Sequence, residues 1–209
     1  MCIRDRITLY HVAGSRSTRS LWLLNELGIE YKIVEMAFDM KVLRAPKYLA
    51  IHPLGRVPCL VDEELTLFES GAIAQYLCEK YDDGTLGRGP GHRERYEWLQ
   101  WIHYAETIAV HGASLVQQSV FIREDQRSPV VQKLESRRLE KAVEVLDRHL
   151  KDKDHLLESG FSAADVNVCY SVHLGKQFLN FDSLPAITEY YGRLQARPAF
   201  QASLGKGEE

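Results

Sequence analysis

The sequence predicts an α/β domain followed by an all-α helical bundle, and three observations carry that expectation. Strand-like and helix-like stretches alternate over residues 7–81, a glycine-rich segment without apolar periodicity follows, and every periodic stretch beyond it is helical. At 209 residues the chain is long enough for two compact units. Apolar residues at 45% and charged residues at 26% are ordinary for a globular protein, and a formal net charge of −3 gives no overall pull toward nucleic acid or anionic membrane. Small molecules or a second copy of the chain are the expected partners.

No apolar run approaches the roughly 18 residues that a membrane-spanning helix needs. The opening MCIRDR lacks the apolar stretch of a secretory signal, so the cytoplasm is the expected compartment. Strand periodicity starts only at Ile7, and residues 1–6 are read as a leader of uncertain status, with no role assigned. Cys2, Cys59, Cys78 and Cys169 are scattered with no C-x-x-C spacing, which disfavours a zinc site or a dithiol redox site. No metal and no tightly bound cofactor is expected.

The elements follow in order. ITLYHV reads as a strand, and RSTRSLWLLNELG as a helix with Leu21, Leu24 and Leu27 at helical spacing and Gly28 as its C-terminal stop. IEYKIVE alternates as a second strand, which completes a βαβ unit. PKYLAIHP reads as a short helical turn closed by Pro53. RVPCLVD and LTLFES form an antiparallel hairpin around an acidic turn, and SGAIAQYLCEKY is a helix with Ile73, Leu77 and Tyr81 on one face. The order βαβ-ββα is that of a thioredoxin-like domain, with four strands and helices on both faces. Residues 82–92 are the linker, and residues 93–209 the helical bundle, in which SAAD, Ser162 to Asp165, spells a capping box.

Three places hold candidate chemistry. In HPLGRVPCLV, Pro58 opens a strand where proline cannot donate to a ladder. A cis Val57-Pro58 bond would turn the backbone N–H and C=O of Val57 outward toward an extended peptide; a rigid turn proline is the plainer alternative. In ESGAI the helix start at Ser70 suits a carboxylate and Glu69 suits an ammonium, the two charges of an α-amino acid headgroup; Ser70 as a simple N-cap is the alternative. SRSTR, Ser15 to Arg19, gathers hydroxyls and guanidinium groups where the first strand gives way to the first helix.

Taken together, the strand ending in hydroxyl residues, HPLGRVP before a hairpin, ESGAIAQYL after it, the Gly/Pro linker and GFSAADV in a helical second half resemble a cytosolic glutathione transferase. The likeness runs from Ile7 to about Leu204, and SRSTRSLWLLNELGIEY with RAPKYLAIHPLGR is most similar to the fungal and proteobacterial serine-type branch. The resemblance implies the glutathione transferase fold, glutathione as co-substrate, a homodimer and a role in detoxification. It implies that the Val57 backbone holds the cysteinyl unit, that Pro58 is cis, and that Glu69 and Ser70 take the γ-glutamyl headgroup. Arg56 stands where relatives place a polar or basic residue near the glycyl carboxylate, which a guanidinium binds bidentately; a solvated loop charge is the alternative. His52 is read as structural.

Such an enzyme must present the thiol as thiolate. A cysteine-like pKa of about 8.5 leaves a few per cent ionised at pH 7, and lowering it by about two units takes roughly 2.7 kcal/mol. A helix N-terminus supplies about 0.3–1 kcal/mol, so a hydroxyl donor is needed as well. Ser15 is the first candidate, Ser17 the second and Tyr10 the third. Ser15 is also read as the N-cap of a helix beginning at Arg16, and Arg16 and Arg19 as solvated first-turn charges.

The electrophile is expected on the first bundle helix, with His103, Tyr104, Thr107 and His111 as candidate lining; core or dimer interface is the alternative. Trp98, Trp101 and Phe121 are read as packing residues. A glutathione-dependent peroxidase, dehalogenase, etherase or isomerase needs no different residue in the first domain, and a non-enzymatic ligand-binding protein of the same fold is the remaining alternative.

Overall fold

The computed structural model describes residues 7–205. The expectation for residues 1–6 lies outside them. The chain forms two compact units, one taking in residues up to Gly89 together with those from Ala196 onward, the other Pro90–Gln195.

The first unit is built on a four-stranded sheet of order β2-β1-β3-β4. Strand β1 (Ile7–His11) runs parallel to β2 (Lys32–Glu35) and antiparallel to β3 (Cys59–Asp62), which pairs with β4 (Leu65–Phe68) through a two-residue turn at Glu63 and Glu64. Alternation along β1 sends Ile7, Leu9 and His11 to one buried face. Tyr10 and Val12 go to the other, in a cluster with Leu43, Tyr48 and Val57. Helix α1 (Ser17–Leu27) ends at Gly28, whose φ of 62° is left-handed backbone that glycine adopts without a Cβ penalty. Two short helices follow, α2 (Met40–Leu43), capped by the Asp39 carboxylate, and α3 (Pro46–Leu49), then the hairpin and α4 (Ser70–Tyr81). Gly55 is required where it stands, because a Cβ there would meet the Leu43 carbonyl oxygen at 2.2 Å.

The second unit packs α5 (Arg95–Val116), α6 (Pro129–Leu150), α7 (Ala163–Gly175) and α8 (Pro185–Gln195). Helix α5 runs on into a π-helical turn at Gln117–Phe121. Helix α7 is buried nearly all round, as befits the centre of a bundle, and its Ser171 hydroxyl donates to the Ala105 carbonyl of α5 at 2.9 Å. Trp98 and Trp101 are buried as expected, whereas Phe121, expected to pack, stands 54% exposed on the π-helical turn.

Two expectations change. The helical domain does not run to the C-terminus as one body: Arg197 precedes a proline and is extended at φ −68°, ψ 131°, so α8 stops and a short α9 (Pro198–Ser203) starts anew. Helix α9 belongs to the first unit because Phe200 stacks edge-on against Trp22 at 4.7 Å and Arg197 grips Glu26 with two bonds of 2.7 and 2.8 Å. Helix α1 also starts one residue later than expected, at Ser17 with Arg16 in the flanking position, while the Ser15 hydroxyl accepts from the Ser17 N–H at 3.3 Å as a cap does.

Candidate functional site

The loop between β1 and α1 is organised by Val12. Its carbonyl accepts from the Ser15 N–H at 3.2 Å and lies 2.7 Å from Ser15 Oγ, while its N–H donates to Ser17 Oγ at 3.1 Å. The two serine hydroxyls are 2.8 Å apart, and Ser17 Oγ is 2.7 Å from His11 Nδ1. Ser17 is wholly buried and Ser15 half-buried, so of the two candidate donors only Ser15 keeps a side open to a ligand. Burial holds the His11 imidazole below its ordinary pKa, against the opposing Glu35 charge and the bond with Ser17. Tyr10, the third candidate, lies on the other face of the strand with its ring 5.4 Å from that of Tyr48.

The loop is tied to the segment carrying Val57 and Pro58 through the same residue. The Val12 side chain packs in the cluster that includes Val57, and the Tyr48 hydroxyl of that cluster donates to the Arg56 carbonyl at 2.6 Å. The Val57-Pro58 bond is cis. Among the described residues neither the N–H nor the C=O of Val57 takes a backbone hydrogen bond. The Arg56 side chain is exposed. His52 is buried and accepts from the Leu54 N–H at 3.2 Å, with its ring 4.8 Å from Phe68.

At the start of α4, Glu69 and not Ser70 holds the flanking position, with a left-handed φ of 75° that is costly for a non-glycine residue. Ser70 is the first helical residue, and its hydroxyl accepts a 2.9 Å bond from Arg19 Nη1. Arg19 is only 1% exposed, which overturns its reading as a solvated first-turn charge. A buried guanidinium behind a helix N-terminus adds positive potential to backbone N–H groups that already favour an anion. It also fills an acceptor site of the Ser70 hydroxyl and leaves that hydroxyl's proton to donate.

Sequence reasoning misread Arg19 and passed over His11. The signal for His11 was present: it continues the buried Ile7 and Leu9 alternation. Arg19 gave none, since its partner lies 51 positions away.

On α5 the four candidate lining residues divide. Tyr104 donates to the Ala142 carbonyl at 3.0 Å, and His111 Nδ1 lies 2.7 Å from Glu135 Oε2, so both are turned to α6. His103 and Thr107 share the exposed face. Among the described residues no group of three His, Cys, Asp or Glu is placed to hold a metal ion.

Comparison with known proteins agrees with this architecture. Residues 5–79 match the model of the glutathione S-transferase N-terminal domain. A probable glutathione S-transferase of rice, Oryza sativa subsp. japonica, is 32% identical over 90% of this chain and 92% of its own length. Glutathione S-transferase 3 of Schizosaccharomyces pombe is 28% identical over 97% of this chain and 88% of its own. Among solved structures, a glutathione transferase from Phanerochaete chrysosporium in complex with oxidized glutathione superposes with a TM-score of 0.86 at 26% identity, covering 95% of this chain and 94% of that one. With identity at this level across nearly the whole of both sequences, the chain belongs to the glutathione S-transferase family.

Proposed function

We propose that the first unit binds glutathione along the Val57 edge, with its sulfur beside Ser15 as thiolate, and that the enzyme adds this thiolate to a small apolar electrophile. The observation that carries the assignment is the half-buried Ser15 hydroxyl on a loop whose anchor, Val12, packs in one cluster with Val57. The Val57 backbone groups pair with the cysteinyl unit as a short strand would. Glu69 takes the headgroup ammonium. Ser70 and the α4 N-terminus, backed by Arg19, take its carboxylate. Arg56 binds the glycyl carboxylate. His103 and Thr107 contribute to the electrophile site from the exposed face of α5, while Tyr104 and His111 brace α5 against α6.

The thiolate needs roughly 2.7 kcal/mol of preference over the thiol for a two-unit fall in pKa. A hydrogen bond to a charged group contributes about 1.5–3 kcal/mol, which is the scale required of Ser15. Retention on immobilised glutathione followed by turnover of an aromatic halide tests the reading. Ser15→Ala is expected to lower kcat about ten- to hundredfold and to raise the pKa of the bound thiol, with retention on the resin kept. Ser17→Ala should do less to catalysis, because Ser17 acts from behind Ser15. A Ser17→Ala variant more damaging than Ser15→Ala reverses the assignment, and binding without turnover would point to a ligand-binding role.

No helix among the described residues is long and apolar enough to cross a membrane. We place the protein in the cytoplasm as a homodimer; a monomer mass by sedimentation at micromolar concentration would remove the dimer.

A further inference from the structure

The Ser15–Ser17 hydroxyl pair at the start of α1 ends on His11, a group that thiolate binding as described does not use. Ser17 Oγ lies within hydrogen-bonding distance of His11 Nδ1 (2.7 Å), Ser15 Oγ (2.8 Å), Val12 N (3.1 Å) and Val12 O (3.2 Å). A hydroxyl has one proton and two acceptor sites, so these contacts depend on one another. The Val12 N–H can only donate, and it takes one acceptor site of Ser17. The direction of everything else is set by which imidazole nitrogen carries hydrogen, and the buried ring, held below its ordinary pKa, carries one.

With hydrogen on Nε2, Nδ1 is an acceptor and draws the Ser17 proton. Ser15 then gives its own proton inward, to Ser17 or to the Val12 carbonyl at 2.7 Å. With hydrogen on Nδ1 the chain reverses. His11 donates to Ser17 and fills its second acceptor site, and the Ser17 proton turns to Ser15. Ser15 Oγ then accepts from Ser17 Oγ and from the Ser17 N–H at 3.3 Å, and its own proton is left for the open side of the loop. An anionic sulfur there outcompetes the Val12 carbonyl, a neutral acceptor that already serves the Ser15 N–H at 3.2 Å.

We propose that His11 is a positioning residue for the thiolate: as the Nδ1–H tautomer it aligns the donor chain His11 to Ser17 to Ser15, whose last proton points at the glutathione sulfur. This rests on Ser15 as the sulfur's donor. No proton is transferred along the chain; each donor polarises the next, a cooperative gain of about 10–30% per bond. His11, 4% exposed and behind Ser17, acts only through the two hydroxyls.

The test follows the thiolate absorbance of bound glutathione against pH, with steady-state kinetics, in Ser15→Ala, His11→Leu and His11→Asn. His11→Leu is expected to raise the thiol pKa by about half to one pH unit and to lower kcat about three- to tenfold, with the KM for glutathione unchanged. His11→Asn, whose side-chain N–H replaces that of Nδ1, should recover most of both. If Ser15→Ala raises the thiol pKa and His11→Leu does not, or if Asn is as damaging as Leu, His11 has no such role while the Ser15 assignment stands. If Ser15→Ala leaves the thiol pKa unchanged, both fail. Should His11→Leu not fold, the tautomer of the unaltered enzyme decides: long-range proton–nitrogen NMR of the glutathione complex must show hydrogen on Nδ1, and hydrogen on Nε2 overturns the proposal.

Discussion

Arg19 shows how one buried charge can reach a proposed binding site through another side chain. A guanidinium taken out of water is costly unless its donors are used, and Nη1 of Arg19 is used on Ser70 at the start of α4. The arrangement joins the first turn of α1 to the first turn of α4, the two helix starts between which glutathione is proposed to lie. Arg19→Ala should therefore weaken glutathione binding more than catalysis. The expected outcome is a KM for glutathione raised about tenfold or more, with kcat at saturating glutathione close to that of the unaltered enzyme. Arg19→Lys keeps a charge but loses the planar fork, and should recover only part of the loss. An unchanged KM in a folded Arg19→Ala variant would reduce the residue to packing.

At the scale of elements, the parts legible in the sequence were those specified locally. Gly28 stops α1, two residues turn the β3–β4 hairpin, and S-x-x-D opens α7, each a short-range pattern with its own backbone requirement. Val57, Pro58, Glu69 and Ser70 were legible as candidates for the same reason, lying within a few residues of a strand or helix start. What was not legible was non-local or cooperative: α2, only four residues long and held by one Asp39 cap, the attachment of α9 to α1, and the Arg19–Ser70 bond. The α7 cap carries a sharp test. Asp165 accepts from the Ser162 N–H at 2.9 Å, the Ser162 hydroxyl at 3.1 Å, the Leu156 N–H at 3.0 Å and the Tyr190 hydroxyl at 3.1 Å, all inside the second unit. Asp165→Ala strands four buried donors at once and is expected to cost about 3–5 kcal/mol, whereas Ser162→Ala should cost about 1–2 kcal/mol. Urea unfolding of the two variants measures both, and equal midpoints would show that Asp165 does no more than cap.

The whole molecule should have an acid limb to its stability, because two bonded carboxyls and three buried histidines titrate in the same sense and outnumber Asp165, whose carboxyl burial raises. Burial alone would raise the Asp62 carboxyl, but bonds from Lys80 at 2.8 Å and from Tyr76 and Tyr81 at 2.6 Å outweigh it and hold the carboxyl below its ordinary value. In the second unit the bond with His111, more than the one from Arg138, lowers Glu135 in the same sense. A carboxyl depressed on folding stabilises the fold above its unfolded pKa of about 4, and that contribution is lost as pH falls through the folded value. Burial also lowers His11, His52 and His173, so below about pH 6.5 the unfolded chain binds protons that the folded chain refuses. Both effects make stability rise with pH from acid to neutral. On the alkaline side the signs reverse. Burial raises the Cys59, Cys78 and Cys169 thiols and Tyr190, and the bond to Asp62 raises Lys80, so the folded chain holds protons that the unfolded chain releases, from thiols above about pH 8.5 and from Tyr190 and Lys80 above about pH 10. The expected curve is a plateau between about pH 7 and 8 with two acid steps, near pH 6 from histidines and below pH 4 from carboxylates, and an alkaline decline that begins with the buried thiols. Calorimetric midpoints across this range separate the steps: His52→Phe should shrink the first, leaving the shares of His11 and His173, without changing the second, and Asp62→Asn should shrink the second, leaving that of Glu135, without changing the first. An Asp62→Asn variant that loses stability below pH 4 as steeply as the unaltered protein would show that the β3–α4 ion pair, for all its short bonds, contributes nothing to the acid limit of the fold.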